Sequence, residues 1–358
     1  MSWEENVRKV IPYIAGEQPK GKVIKLNTNE FPYAPSPKVA KRMEELAKEE
    51  LDDESSMLRK YPDMDATNLV NAISEVYGIP FEKIFVGIGS DDVLALSFLT
   101  FFNNADKDIL FPDVTYSFYD VWASLYRMSY KQQLLDENFK IKKEDYIGVP
   151  NCGIIIPNPN APTGVYEAPS FFEDIIKANP DSVVIIDEAY IDFGGESCLP
   201  FIDKYDNVLV VQTFSKSRAL AGLRIGVAFG NPKLIKYLKD VKFSFNSYTL
   251  NYPAIELATA SVLDVDYWHH TVDMLIKTRE WTKQELKKLG FEFEDSMSNF
   301  IFAKHSTKSG EEIFDALRQK DIFVRHWNKD RIADYLRISI GTDAQMQELV
   351  KALKTIVG

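Results

Sequence analysis

The 358-residue sequence predicts an α/β fold, a mostly parallel sheet flanked by helices, followed by a smaller α+β domain. Short apolar runs alternate with longer amphipathic stretches between residues 84 and 230. Solid apolar runs without alternation are typical of strands that are covered on both faces. The last third instead mixes amphipathic helices with isolated short strands. The strand-length runs of the larger part are 84–86, 109–111, 154–156, 183–186, 208–211 and 225–229.

The change in pattern divides the chain into three parts. We expect an N-terminal arm over residues 1–30, a large domain over 31–249 and a small C-terminal domain over 250–358. The small domain should contain a long amphipathic helix over residues 268–289. Its other predicted elements are strands at 299–302, 322–324 and 336–340 and helices at 310–320 and from 343.

Composition and charge exclude several classes of function. The formal net charge of −11 should repel nucleic acid and acidic membranes, so we expect neither as a partner. Cys152 and Cys198 have no metal-ligand spacing, the four histidines suggest no metal site, and the residues 93–102 are too few to span a bilayer. No apolar signal core follows the first residues. These features predict a cytoplasmic protein without a metal.

Polar residues follow the predicted strands of the large domain. Asp187 comes directly after one apolar run, and Lys216 follows the next. Gly89 and Ser90 lie between a strand and a helix, where free N–H groups can receive a phosphate. Because ligands bind beyond the carboxyl ends of parallel strands, we expect these residues to meet in one site.

The order of these residues resembles that of a known enzyme family. The set comprises Gly89-Ser90-Asp91, Tyr116, Asn160-Ala161-Pro162-Thr163-Gly164, Asp187-Glu188-Ala189-Tyr190, Ser215-Lys216 and Arg224. It closely resembles the class I and II aminotransferases, which have fold type I and carry pyridoxal 5′-phosphate (PLP). The segment Thr213 to Arg224 is the most specific part, and the resemblance covers essentially the whole chain.

The resemblance implies a seven-stranded sheet and a role for each matching residue. Lys216 would form the aldimine with PLP and then act as acid and base, while Asp187 would bind the pyridine nitrogen. Tyr190 would donate to the ring oxygen, and Tyr116 would stack on the ring. Tyr61 would reach the cofactor phosphate of the other subunit in a symmetric homodimer. The residues expected to hold the phosphate within the chain are Ser90, Asp91, Ser215 and Arg224.

One position departs from the family pattern. Most members have an asparagine directly before the proline of this motif, where the chain has Ala161, with Asn160 one residue earlier. Either Asn160 contacts the ring oxygen through a shifted backbone, or Tyr190 acts with less help. The bond before Pro162 is a candidate for the cis form.

Further segments resemble the histidinol-phosphate branch of the family. They are Val10 to Tyr13, Gly16 to Pro19, Leu26 to Glu30, Pro112 to Tyr119, Phe323 to Arg325 and Leu336 to Thr342, although Phe31 and Ala34 differ from its commoner form. This branch transfers the amino group of L-histidinol phosphate to 2-oxoglutarate, giving imidazole-acetol phosphate and L-glutamate in histidine biosynthesis. Arg337 and Arg325 would clamp the anionic groups of both substrates, with Asn29 and Tyr13 completing the substrate site.

Other functions remain compatible with part of these sequence features. An aromatic amino acid aminotransferase or a phospho-amino-acid decarboxylase would share the cofactor residues and differ in the substrate pocket. A nicotinamide-dependent oxidoreductase would need a dinucleotide glycine spacing that Gly87-Ile88-Gly89-Ser90 lacks. A non-catalytic regulator on this fold is also conceivable, but all the reactive residues are retained.

Overall fold

A computed structural model describes residues 2–103 and 106–358. The α-helices are α1 (Pro37–Glu49), α2 (Thr67–Tyr77), α3 (Gly89–Phe101), α4 (Tyr119–Tyr126), α5 (Pro169–Ala178), α6 (Pro232–Phe245), α7 (Tyr252–Val262), α8 (Val265–Lys288), α9 (Gly310–Arg318) and α10 (Asp343–Val357). Among the described residues, none of these helices combines the length and apolar character that a bilayer span requires.

The strands form a large sheet, a small sheet and one short pair. Those of the large sheet are β2 (Ile84–Ile88), β3 (Ile109–Pro112), β4 (Tyr130–Gln133), β5 (Gly153–Pro157), β6 (Val183–Asp187), β7 (Val208–Thr213) and β8 (Ile225–Gly230). Those outside it are β1 (Ile24–Lys25), β9 (Phe291–Phe293), β10 (Phe300–His305), β11 (Ile322–Phe323), β12 (Arg325–His326) and β13 (Tyr335–Ser339).

In the part of the chain that the structure describes, the large sheet has seven strands in the order β2-β8-β7-β6-β5-β3-β4. All of them are parallel except β8, which runs antiparallel to both of its neighbours. The central strands are buried along their whole length because helices cover both faces. The predicted fold class is therefore confirmed.

The topology collects the site at one edge of this sheet. The carboxyl ends of β6 and β7 lie there, followed in the chain by Glu188 and Phe214. Because β8 runs in the opposite direction, its first residue, Ile225, pairs with Ile88 at the end of β2. Arg224, just before β8, is thereby placed beside the start of α3.

The small domain has its own hydrophobic core. The antiparallel order β12-β13-β10-β9 packs against α8, α9 and α10, with Leu275, Ile301, Ile338 and Leu349 fully buried between them. β1 pairs in parallel with β11, and Leu26 belongs to this core. The end of the predicted arm is therefore built into the small domain.

Helix α7 follows the predicted boundary at residue 250 in the sequence, but it packs against the large domain. Its buried residues Ile255, Ala258 and Val262 share a core with Leu69 and Ile73 of α2 in the large domain. The sequence pattern could not show this contact, because the two helices lie almost 190 residues apart. On the criterion of a shared core, we propose that the small domain begins at α8 rather than at residue 250.

Candidate active site

A cavity of about 200 Å³ opens at the carboxyl edge of the large sheet. Residues from five separate segments of the large domain contribute to its wall, as the topology requires. The predicted site residues that line it are Ser90, Asp91, Tyr116, Asp187, Tyr190, Ser215, Lys216 and Arg224. These residues are brought together here from positions up to 134 residues apart.

Lys216 places its amine inside this cavity. Its Nζ donates to the backbone carbonyl of Thr28 at 3.3 Å and lies 5.6 Å from the centre of the Tyr190 ring. The backbone N–H of Ala219 donates to the carbonyl of Lys216 and closes the turn that follows β7. The amine is thus held by a neutral acceptor, which leaves its nitrogen available for reaction.

Asp187 is the buried carboxylate of the site, with 4% of its surface exposed. Oδ1 accepts from the backbone N–H of Ala189 at 3.2 Å, and Oδ2 accepts from the hydroxyl of Tyr119 at 2.8 Å. Burial raises the pKa of Asp187 to about 6, although both hydrogen bonds oppose the shift. A cationic partner in the cavity would restore its ionised form.

An anion cradle is formed where α3 begins. Gly89 has a φ of +81°, and a Cβ there would lie 2.4 Å from Nη2 of Arg224. Gly226 allows β8 to approach this turn, since its Cβ would lie 2.3 Å from the Ser90 nitrogen. The first N–H groups of the helix therefore face a space beside a guanidinium group, which is an arrangement suited to phosphate.

Arg224 is oriented by two side chains of the cradle. Its Nη1 donates to Oγ of Ser215 at 3.2 Å, and its Nη2 donates to Oδ2 of Asp91 at 3.1 Å. The other oxygen of Asp91 accepts from the hydroxyl of Tyr116 at 2.7 Å. The Asp91 side chain, at a position expected to hold the phosphate, thus also positions Arg224 and Tyr116.

Tyr190 is held from the small-domain side. Its hydroxyl accepts from Nδ2 of Asn29 at 3.0 Å, and Oδ1 of Asn29 accepts from Oγ of Ser339 at 2.9 Å. Asn29 itself is buried and does not line the cavity, unlike its neighbours Thr28 and Glu30. In this structure Asn29 positions Tyr190, and the substrate-binding role expected for it stays a prediction.

Asn160 does not reach the cavity. Its Nδ2 donates to the carbonyl of Val114 at 2.9 Å and to Oγ1 of Thr163 at 3.1 Å, while its Oδ1 accepts from Oγ1 of Thr115. Since these bonds satisfy a buried backbone group, the amide is committed to the loop, and Ala161 lies in the cavity wall instead. This geometry does not support the cofactor contact expected for Asn160, which stays a prediction. The bond between Ala161 and Pro162 is cis, and so is the bond between Asn158 and Pro159.

Arg337 is on β13, next to Phe300, whose ring also contacts that of Tyr190. Its guanidinium is 5.5 Å from the ring centre of Phe300 and 5.2 Å from that of Trp327, and Nη2 donates to the carbonyl of Asn27 at 2.9 Å. Its Nε has no hydrogen-bond partner among the described residues. Burial lowers the pKa of Arg337. The residue is half-buried, and an N–H group without a partner among the described residues favours contact with an anion.

Arg325 and Tyr13 line a neighbouring cleft of about 810 Å³ rather than the cavity of Lys216. Arg325 donates to the carbonyls of Ile14 and Ala15 and lies 5.2 Å from the ring centre of Trp327. Tyr13 stacks on Phe118 at 4.3 Å. The guanidinium groups of Arg325 and Arg337 each lie 5.2 Å from the ring centre of Trp327, and Arg337 lines neither of the two spaces.

Tyr61 is on the surface, with 79% of its area exposed. It stacks on Tyr248 at 4.6 Å and takes no part in the cavity of its own chain. An exposed, stacked aromatic side chain is compatible with a role in another subunit.

Tyr119 was not predicted as a site residue, although it contacts Asp187 directly. The available signal was its spacing of three residues from Tyr116, which places both aromatic residues on the same side of a helical turn. That spacing is also typical of core packing, and Tyr119 is indeed fully buried. Only its hydrogen bond to Asp187 distinguishes Tyr119 as a site residue from an ordinary core residue.

Comparisons with known proteins agree with this geometry. The family model Aminotransferase class I and II matches residues 21–353. The chain is 49% identical to a histidinol-phosphate aminotransferase from Lactococcus lactis subsp. cremoris, over 99% of this chain and 97% of the relative. A second histidinol-phosphate aminotransferase, from Clostridium botulinum, is 46% identical over 99% of this chain and 98% of its own length.

A solved structure shows the same fold. The histidinol-phosphate aminotransferase from Sinorhizobium meliloti, in complex with pyridoxal-5′-phosphate, is 21% identical, with a TM-score of 0.81 over 94% of this chain and 90% of that chain. The family model and the two sequence relatives each span almost the whole chain. The chain therefore belongs to the class I and II aminotransferases.

Proposed function

We propose that the chain is a PLP-dependent histidinol-phosphate transaminase. It transfers the amino group of L-histidinol phosphate to 2-oxoglutarate and yields imidazole-acetol phosphate and L-glutamate. The meeting of Lys216, Asp187 and Arg224 in one cavity carries the proposal. Relatives with 46–49% identity that bear this activity in their names support the choice of substrate.

The donor set of the cavity fits PLP. Arg224, Ser215 and the start of α3 offer charge and N–H groups to a phosphate, and Gly89 keeps this space open. Asp187 is a buried acceptor for a protonated ring nitrogen, and the hydroxyl proton of Tyr190 is free to bind the ring oxygen. PLP supplies an electron sink that makes the carbon bearing the substrate amino group acidic.

The chain's own residues perform the remaining tasks. The Nζ of Lys216 would bind the cofactor aldehyde and, once displaced by the substrate amine, move the proton on the substrate carbon. The carbonyl of Thr28 orients that nitrogen at 3.3 Å. Asp187 maintains the proton on the ring nitrogen, and Tyr116 offers a ring face at the cavity wall.

Arg337 is proposed to bind the anionic groups of both substrates. It has a free N–H group and lies next to Phe300, whose ring is 5.0 Å from that of Tyr190. Arginine's planar fork suits a phosphate monoester as well as a carboxylate. Arg325 would contribute through the neighbouring cleft. Replacing Arg337 with Ala should raise KM for both substrates, and unchanged KM values would remove it from the site.

An absorbance spectrum of the purified protein tests the proposal. PLP bound to Lys216 gives a yellow band, which L-histidinol phosphate should convert and 2-oxoglutarate should restore. A yellow protein that does not respond to histidinol phosphate would keep the cofactor and refute the substrate. Carbon dioxide release in place of glutamate would indicate a decarboxylase. A protein without the band in the presence of added PLP would refute the proposal as a whole.

We further propose a symmetric homodimer in the cytoplasm. The exposed Tyr61 would reach the cofactor phosphate of the partner subunit, so that each site contains residues from both chains. Mixing a Tyr61→Ala chain with a Lys216→Ala chain should restore activity at a low PLP concentration, because a mixed dimer contains one intact site. A monodisperse monomer with full activity would refute the composite site.

A further inference from the structure

We infer that Tyr119 is a positioning residue for Asp187, which holds the carboxylate in the orientation and ionised form that the cofactor ring requires. The hydroxyl of Tyr119 donates to Oδ2 of Asp187 at 2.8 Å. The inference rests on the proposed function, because it concerns the carboxylate that would bind the ring nitrogen of PLP.

Tyr119 is fixed in place by its packing. It is the first residue of α4 and has no exposed surface. Its ring packs edge-on against Phe111 at 5.8 Å and against Tyr116 at 5.7 Å, and it stacks on Phe98 at 6.3 Å. Because these contacts hold the ring in place, the position of its hydroxyl oxygen is set by the fold.

The two oxygens of Asp187 have different donors. Tyr119 binds Oδ2, and the backbone N–H of Ala189 binds Oδ1. One donor on each oxygen prevents rotation about the Cβ–Cγ bond. Without Tyr119, Oδ2 would retain no hydrogen-bond partner among the described residues, and the carboxylate could turn away from the cavity.

The same hydrogen bond favours the charged form of Asp187. Burial raises the pKa of the carboxyl, and the Tyr119 hydroxyl opposes that rise. Burial and the adjacent carboxylate raise the pKa of Tyr119 well above its ordinary value, so the phenol remains a donor at every working pH. Tyr119 thus acts on the ring nitrogen only through Asp187.

The test compares two ligands and two variants. Tyr119→Phe removes one hydroxyl and keeps the packing. The control is Tyr146→Phe, because Tyr146 is equally buried and its hydroxyl has no partner among the described residues. Dissociation constants are measured for PLP and for its 1-deaza analogue, in which a C–H group replaces the ring nitrogen.

We expect Tyr119→Phe to weaken PLP binding about tenfold, as for the loss of one hydrogen bond to a charged group, and to leave binding of the deaza analogue nearly unchanged. Tyr146→Phe should change neither constant. The affinity of the Tyr119→Phe variant for PLP should also begin to fall at a higher pH than in the wild type as the pH is lowered. In an Asp187→Asn background, Tyr119→Phe should have no further effect on the dissociation constant of PLP.

Equal weakening of both ligands in Tyr119→Phe would mean that Tyr119 only shapes the cavity, and would overturn the inference while leaving the proposed function intact. Unchanged binding of PLP would overturn it as well. A wild-type protein that binds PLP no better than the deaza analogue would overturn the role of Asp187 together with that of Tyr119. Failure of the wild type to bind PLP at all would refute the proposed function.

Discussion

Nδ2 of Asn29 donates to the hydroxyl of Tyr190 at 3.0 Å, across 161 residues of sequence. Ser339 fixes the amide by donating to Oδ1 of Asn29 at 2.9 Å, so the amide nitrogen must face Tyr190. Because the Tyr190 oxygen accepts this bond, its own proton is free to point into the cavity. A residue of the N-terminal arm and a residue of the small domain together set the direction of a tyrosine in the large domain.

Removal of the Asn29 amide should slow the reaction. Asn29→Gly deletes the side chain without strain, since the backbone φ of 55° suits glycine. We expect kcat to fall about tenfold, which is the upper range for one lost neutral hydrogen bond. Steady-state kinetics with saturating substrates measure the change, and Asn29→Ala should in addition lower the melting temperature. An unchanged kcat in Asn29→Gly would contradict the role of Asn29.

Substitution of Gly89 should close the anion cradle. Gly89→Ala and Gly78→Ala both place an alanine at positive φ, at +81° and +66°, and each should cost about 1 kcal/mol of stability. Only at Gly89 would the new Cβ meet Arg224, whereas nothing lies within 4 Å at Gly78. We therefore expect PLP affinity to fall at least about tenfold in Gly89→Ala alone. An equal effect of both variants would indicate a general loss of stability.

Glu188 is a second buried carboxylate, adjacent to Asp187 in the chain and 1% exposed. Its oxygens accept from the backbone N–H of Cys198 at 2.6 Å, from Oγ of Ser197 at 2.5 Å and from Nε2 of Gln212 at 2.9 Å. Burial raises the pKa of Glu188 from 4.5 to about 7 in spite of these bonds. The folded protein therefore binds a proton that the unfolded chain releases between pH 4.5 and 7.

This difference predicts how Glu188 affects stability. Because the folded state holds more protons in that window, the contribution of Glu188 to stability falls as the pH rises through it. Glu188→Gln removes the effect, so its free energy of unfolding relative to the wild type should improve by about 2 kcal/mol between pH 5 and pH 8. Urea unfolding of the cofactor-free protein at the two pH values measures the change. A constant difference between the two proteins would show that Glu188 does not titrate in this range.

Arg337 is expected to contribute to substrate binding but not to the stability of the substrate-free protein. It is a half-buried cation whose Nε has no hydrogen-bond partner among the described residues, and burial lowers its pKa. In Arg337→Met an apolar side chain of similar length replaces this charge. We expect KM to rise for both substrates, while the melting temperature of the substrate-free protein does not fall. Thermal unfolding recorded beside the kinetics checks both parts, and a lower melting temperature would show that the arginine is a structural element.

The strand ends were predictable because solid apolar runs mark buried parallel strands. Asp187 and Lys216 follow such runs, and the rule for the carboxyl ends of parallel strands predicts that they lie in one site. The contact of Arg224 with Asp91 needed the antiparallel direction of β8, which an apolar run does not reveal.

Side-chain directions within loops were less predictable. Asn160 lies in the expected motif, but hydrogen bonds to Val114 and Thr163 turn its amide away from the cavity. Asn29 is near the site, yet it acts on Tyr190 rather than lining the space. Such directions depend on which neighbouring backbone groups lack partners, and those neighbours are known only once the chain has folded.

The pairing of β1 with β11 has a consequence for the order in which the chain is made. Residues 24–29 are translated long before their partners at 322–323 and 339, which lie up to 310 residues further along the chain. Domains fold as they emerge, so the large sheet, complete by residue 230, forms well before these partners exist. We therefore expect Thr28 and Asn29 to take their places beside Lys216 and Tyr190 only after residue 339 has been translated.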